Sequence, residues 1–323
     1  MELHVHLEGT ITAATALELA RRHAVDGSAI AGLVDGGYPG RFRDFAHFVE
    51  LYVAVSSLIR TPADLEAVAA GFVRQQADQG ILHTEATFTA TTHVANGMDP
   101  HRMWRALRDG FATEPRTSVG LIVDAVRDLG AENARRTIEL VADADAPIVA
   151  LGLAGIETAR PIEEFSMLRE AADDLGIGLV VHAGETGPPS EVAGALDLGV
   201  DRVAHGISAV RDPAVLARIV DEGVPIDVCP TSNVVLGVVA DYDDHPLAEL
   251  WASGARLTIG SDDPPFFGTT LVAELQHAVR MAGLGPGGLE RLQRTAVDAS
   301  FLGSAERRAI HGRIDAWAAT HAP

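Results

Sequence analysis

Eight times along this chain a short, mostly apolar run is followed by a stretch whose apolar residues recur at helical spacing. The runs are Leu3–Leu7, Ile81–Phe88, Ser118–Asp124, Pro147–Leu153, Ile177–His182, Arg202–His205, Pro225–Cys229 and Arg256–Gly260. Runs such as "GLVVHAG" and "APIVALGLAG" are almost wholly apolar, as strands buried on both faces of a parallel sheet must be. Helices are expected at Ala13–His23, Thr61–Gln79, Asp99–Phe111, Ala131–Ala142, Ile162–Leu175, Glu191–Leu198, Pro213–Glu222, Pro246–Ala252 and Leu271–Ala282. In the second of these, Leu65, Val68, Ala69, Phe72 and Val73 share one face, with Thr61 placed to cap and Pro62 at the first turn. Eight strands each followed by a helix is the count of an α/β fold of the (β/α)8 TIM-barrel type, here one domain over residues 1–323. A doubly wound open sheet is the alternative, but no G-x-G-x-x-G follows the first strand. Residues 24–57, with "GGYPGRFRDFAHF", break the alternation and read as a helical lid or an extra packing helix.

Composition narrows the possible chemistry. The 323 residues carry a net charge of −20, so no basic face exists in bulk for nucleic acid or an anionic membrane. The longest apolar runs are too short to span a bilayer. Nothing resembles a signal peptide, so a cytoplasmic location is expected, and the oligomeric state is left open. Cys229 is the single cysteine, which rules out an internal disulfide and a cysteine-rich zinc site. All 25 basic residues are arginine, so a Schiff-base lysine, a P-loop lysine and a carbamylated lysine are impossible.

Barrel enzymes work at the C-terminal ends of their strands. Five of the eight predicted strands end in titratable or metal-binding groups. Strand one carries His4, His6 and Glu8; strand five ends in "HAGE", with His182 and Glu185; strand six ends in "AHG", with His205. Strand seven ends in "CPTSN" and strand eight in "SDDPP", with Asp262 and Asp263. His4 and His6 are two apart on a strand and so point the same way. With His182 and Asp262 they supply three nitrogens and one oxygen, a set suited to zinc with a position open for water. Taken singly, each has an ordinary reading: a chance pair, a polar strand end, a turn before proline, a helix cap. It is the joint placement that favours a metal site.

These stretches resemble the adenosine and adenine deaminase family of the amidohydrolase superfamily. The matches are "ELHVHLEGT", "LAG" at Leu153–Gly155, "HAGE", "AHG", "CPTSN" and "GSDDP", in the family's order from residue 2 to about 265. The resemblance implies a TIM barrel with one zinc (Zn2+) ion held by His4, His6, His182 and Asp262. It implies that Glu185 protonates the purine N1, that His205 orients and deprotonates the attacking water, that Asp263 meets N7 and that the Gly155 amide meets N3. The expected reaction is hydrolysis of a 6-aminopurine to the 6-oxopurine and ammonia, which needs an acid of raised pKa at N1.

Three departures bear on the substrate. Glu8 stands where adenosine deaminases usually place the aspartate that binds the ribose, and so looks like the adenine deaminase branch. Gly152 and Ile156 stand where acidic residues are common around "LAG", although Glu157 remains. The usual Pro-Lys lead-in to strand one is absent. The stretches "FRDFAHFVELYVAVSSLIRTPADL" and "SDDPPFFGT" are similar to an actinobacterial branch that includes deaminases of 6-aminodeoxyfutalosine, an adenosine relative bearing a carboxyphenyl group. Such a ligand needs an aromatic slot and a cation, for which Phe42, Phe45, Phe48, Arg41, Arg43 and Arg60 are candidates. The substrates expected are therefore that compound, adenosine and free adenine. Competing functions are another metal hydrolase on the same barrel and a non-catalytic nucleoside-binding barrel.

Overall fold

In the computed structural model, which describes residues 1–26, 30, 33 and 37–321, eight parallel strands form one sheet in chain order. They are β1 (Glu2–His6), β2 (His83–Phe88), β3 (Ser118–Val126), β4 (Ile148–Ala154), β5 (Gly178–Ala183), β6 (Arg202–His205), β7 (Ile226–Val228) and β8 (Leu257–Ile259). Each neighbouring pair from β1–β2 to β7–β8 is parallel. The ring closes just beyond β8, where the His6 amide donates to the Asp262 carbonyl at 2.9 Å and the Asp262 amide to the His4 carbonyl at 3.1 Å. This is the expected TIM barrel, and its closing seam carries three of the candidate ligands.

The strands alternate as a barrel requires. Val5, Val123, Leu151, Val181 and Val203 pack with the surrounding helices in the main core. Ile122, Ala150, Val180 and Ala204 form a separate small cluster, the filling of the barrel itself.

Most predicted helices are present within a residue or two. Helix Pro62–Asp78 begins with the expected cap: Thr61 and Asp64 form a reciprocal capping box. The helix expected over Ile162–Leu175 is divided into a 3-10 turn, Ile162–Phe165, and a helix, Met167–Leu175. Of the expected lid, residues 27–29, 31, 32 and 34–36 lie outside the described residues. The described part contains the helix Phe45–Ser56, capped by Asp44, whose side chain accepts the His47 amide. Its rings hold it across the barrel mouth: Phe48 lies 5.9 Å from Phe266 and 5.3 Å from Phe267, on the turn after β8. Helices Pro286–Ala299 and Ser304–His321 complete the outer layer beneath the barrel, where Met1, Leu3, Ala296 and Val297 pack together.

Candidate active site

A cavity of about 460 Å³ opens at the C-terminal ends of the strands, beneath the helix Phe45–Ser56. His6, Glu8, Gly155, His182, Glu185, His205, Asp262 and Asp263 all line it. His4 sits directly behind: its Nε2 is 3.3 Å from Asp262 Oδ1, as is that of His6. The His6 and His182 Nε2 atoms are 3.2 Å apart. His6 thus meets His182 on one side and, with His4, one carboxylate oxygen on the other, so the four groups gather around a common point.

The donor set fits a divalent cation. His4 Nε2 is buried with no hydrogen-bond partner. The His182 Nδ1–H donates to the Leu153 carbonyl at 3.1 Å, leaving Nε2 as a free lone pair, the usual orientation of a ligating histidine. Burial lowers the pKa of His6 to about 4 and takes His182 well below its usual value, so both imidazoles are neutral. Burial opposes ionisation of Asp262, yet the imidazoles of His4, His205 and His6 around it hold it well below the carboxylate range. Three imidazole nitrogens and an anionic carboxylate suit zinc. Distance alone also admits His205, since donor nitrogens of His4, His182 and His205 lie within 4.8 Å of one another. Cys229 likewise falls within reach of His205 and Asp262, and its thiol is kept protonated by burial.

Backbone strain gathers at the same place. Among the described residues only Ala24, His205 and Asp262 have positive φ without being glycine, at 50°, 66° and 61°. Such a conformation costs about 1 kcal/mol or more and persists where surrounding structure enforces it. At Asp262 the enforcement is the pairing with β1. Gly9 is needed for a related reason: a Cβ there would run into the Asp263 carboxylate. The "Glu-Gly" after the paired histidines is thus a slot for the second aspartate of "SDDPP".

Glu185 is held by Glu157. The Glu157 carboxylate accepts the amides of Gly184 at 2.5 Å, Glu185 at 2.8 Å, Thr186 at 2.7 Å and Gly187 at 3.2 Å. The Glu185 side chain lies 3.8 Å from His205 Nε2. Burial, with Asp262 and Glu157 nearby, raises its pKa well above the usual value, so it is a neutral acid. Asp263 is raised in the same sense by burial, Asp262 and Glu185. His205, lowered to about 3 by burial and by His4, is a neutral base.

The far end of the cavity differs in part from expectation. Glu8 is anchored by the Thr89 amide at 3.1 Å and by His93 Nε2 at 3.0 Å, both on Oε1, leaving Oε2 without a partner. Phe45 and Phe48 line the cavity, whereas Phe42 is buried behind Phe48. Arg41, Arg43 and Arg60 are exposed and absent from the lining, so the expected cation is not there. The wall instead presents Tyr52, Asp124 and Asp128, three residues with no motif around them. A lone aspartate in the apolar run "GLIVDAV" was the available signal for Asp124.

Comparison with known proteins identifies the family. The family model described as "Adenosine deaminase" matches residues 1–317. An adenine deaminase of Sinorhizobium medicae is 35% identical over 96% of both chains. An aminodeoxyfutalosine deaminase of Streptomyces avermitilis is 36% identical over 98% of this chain and 90% of its own. The crystal structure of an adenine deaminase from Arthrobacter aurescens superposes with a TM-score of 0.89 at 28% identity, covering 98% of both chains.

Proposed function

The chain belongs to the adenosine deaminase family and is a purine deaminase acting on a C–N bond; we propose that it is a zinc enzyme whose substrate is a 6-aminopurine nucleoside of the adenosine type. The observation that carries this reading is the convergence, in one cavity, of His4, His6, His182 and Asp262 with a buried neutral carboxylic acid, Glu185. Zinc held by those four groups supplies a Lewis acid that makes water nucleophilic near neutral pH.

The remaining steps belong to the protein. Glu185 donates its proton to purine N1, which makes C6 electrophilic and drains the charge that arrives when water adds there. His205 holds the attacking water over C6 and takes one of its protons. Asp263, neutral by virtue of burial, donates to N7, and the Gly155 amide donates to N3. The C6–N bond then breaks as the leaving amino group takes the proton held by His205, ammonia departs, and the C6 hydroxyl returns a proton to Glu185, leaving the 6-oxopurine. The helix Phe45–Ser56 covers the cavity and excludes bulk water from these exchanges. A cavity of about 460 Å³ falls in the size range of sites that enclose whole small molecules and holds more than a bare purine.

A second reading, deamination of free adenine, is favoured by Glu8 and by relatives named adenine deaminase. Metal analysis and ammonia release separate them. The purified protein is expected to carry one zinc per chain, to lose turnover on chelation and to regain it with zinc. Its kcat/KM is expected to be higher for adenosine than for adenine. The reverse ranking makes it an adenine deaminase, and no ammonia from either compound with zinc bound overturns both readings.

A further inference from the structure

The part of the cavity wall formed by Glu8, Asp124 and Asp128 is acidic, and its basic neighbour His93 is engaged on Glu8 Oε1 without lining the cavity. Asp124 ends the apolar part of β3, is 2% exposed, and its Oδ1 has no hydrogen-bond partner. Glu8 is 1% exposed, and its Oε2 is equally unpartnered. Asp128, one turn beyond Asp124, is fixed by the Ile156 amide, which donates to its Oδ2 at 2.9 Å. All three line the cavity. No arginine is among the described lining residues, and residues 27–29, 31, 32 and 34–36 contain no arginine, lysine or histidine. The nearby Arg127 is turned away, bonded to the Arg160 carbonyl and to Glu191 at 2.7 Å.

Two buried carboxylates each with a free oxygen are costly unless something occupies them. Within an enclosed cavity the occupant is a hydrogen-bond donor. An anion here would face Glu8, Asp128 and, once ionised, Asp124, with no arginine among the described lining residues to offset them, a cost of several kcal/mol. The net charge of −20 adds a long-range field of the same sign.

We propose that Asp124 and Asp128, with the free oxygen of Glu8, are specificity-determining residues that select a substrate whose substituent beyond the purine donates hydrogen bonds and bears no negative charge, a hydroxyl or an ammonium, and reject carboxylates and phosphates. This rests on the nucleoside reading above. It bears directly on the relatives, because a carboxyphenyl nucleoside finds the rings of Phe45 and Phe48 here but no partner for its carboxylate.

The test uses the zinc-loaded protein and three nucleosides that differ only at the 5′ position: adenosine, 5′-amino-5′-deoxyadenosine and the 5′-carboxylate. Turnover is read as ammonia release. Binding is read separately by calorimetry on the corresponding 6-oxo compounds, which do not react. The hydroxyl and ammonium compounds are expected to exceed the carboxylate by about tenfold or more in both kcat/KM and affinity. Assayed at pH 8, where Asp124 is ionised, Asp124→Asn and Asp128→Asn are each expected to shrink the ammonium-to-carboxylate ratio by about tenfold, since each removes one repelling charge. An ammonium preferred over the hydroxyl shows selection by charge, and equal affinities show selection by hydrogen bonding; either sustains the proposal. A carboxylate that matches or beats adenosine overturns it, as does an unchanged ratio in both variants. Discrimination in binding without ammonia from any compound sinks the deaminase reading and leaves the selectivity intact. The wild-type panel decides the matter even if one variant fails to fold.

Discussion

The barrel carries a cluster of charged residues towards each end, and the two are built on opposite terms. Towards the N-terminal ends of the strands, Arg202 lies 2.6 Å from Glu85 and 3.0 Å from Asp227, all three fully buried. Arg202 also donates to the Ala299 carbonyl at 2.9 Å and lies 4.8 Å from the centroid of the Phe301 ring. Asp227 accepts the Thr258 hydroxyl at 2.6 Å, and Glu85 the Phe301 amide at 2.6 Å. Every charge faces its opposite. At the C-terminal ends no guanidinium faces the carboxylates among the described residues lining the cavity, imidazoles crowd together, and His4, Glu8, Asp124, His205 and Asp263 each keep a buried polar atom without a partner. The same strands thus hold one cluster whose carboxylates share a guanidinium and one whose carboxylates face none. The first ties strands together; the second needs a metal and a substrate to become satisfied.

The comparison is broken most sharply by two substitutions. Glu185→Gln removes the acid and keeps the shape. Turnover is expected to fall by about 10²- to 10⁴-fold, with zinc content and melting temperature nearly unchanged. A variant that keeps most of its turnover removes Glu185 from the acid role. Arg202→Met does the reverse. It strands Glu85 and Asp227 as buried, uncompensated charges and is expected to destabilise the fold by about 3–5 kcal/mol in denaturant titrations. Adding Glu85→Gln and Asp227→Asn to Arg202→Met is expected to recover much of that loss, because an uncharged set replaces a complete charged one. No recovery in the triple variant makes Arg202's packing on Phe301, not its charge, the important term.

The two ends were also unequally legible. Apolar strands, "HVH", "HAGE" and "SDDPP" announce the barrel and the metal end, because strands buried on both faces and groups converging on one ion leave local patterns. The helix break at Ser166 left none, since its two parts bury one continuous face, through Ile162, Phe165, Leu168 and Ala172. Arg202 and Glu85 gave no sign of their pairing, being 117 residues apart and joined only by barrel closure. Asp124 and Asp128 escaped notice for a similar reason. Their role comes from the cavity they face, which is made by residues from β1, β3 and the helix Phe45–Ser56 together. The arginines, visible as a cluster in "GRFRDF", point to solvent because Asp44 caps that helix and pairs with Arg43 at 3.1 Å.

The smallest expected effect tests the open end by stability alone. Burial and the neighbouring Glu8 raise Asp124 from an ordinary 3.8 to about 7. Between those values the folded protein binds a proton that the unfolded chain has released. Stability from this group is therefore full at low pH and is lost as pH rises towards 7, by up to about 1.4 kcal/mol per pH unit. The Arg202 cluster slopes the other way, since Glu85 is held below its usual value despite burial, chiefly by Arg202, and stabilises only when ionised. Asp124→Asn cannot ionise, so relative to wild type it is expected to gain stability steadily from pH 5 to pH 7 and to hold that gain at pH 8. Denaturant titrations of the two proteins at pH 5, 6, 7 and 8 read the difference directly. A gap that does not widen with pH means that Asp124 is already charged and accommodated in the free protein. In that case the C-terminal cluster is less incomplete than its unpartnered atoms indicate.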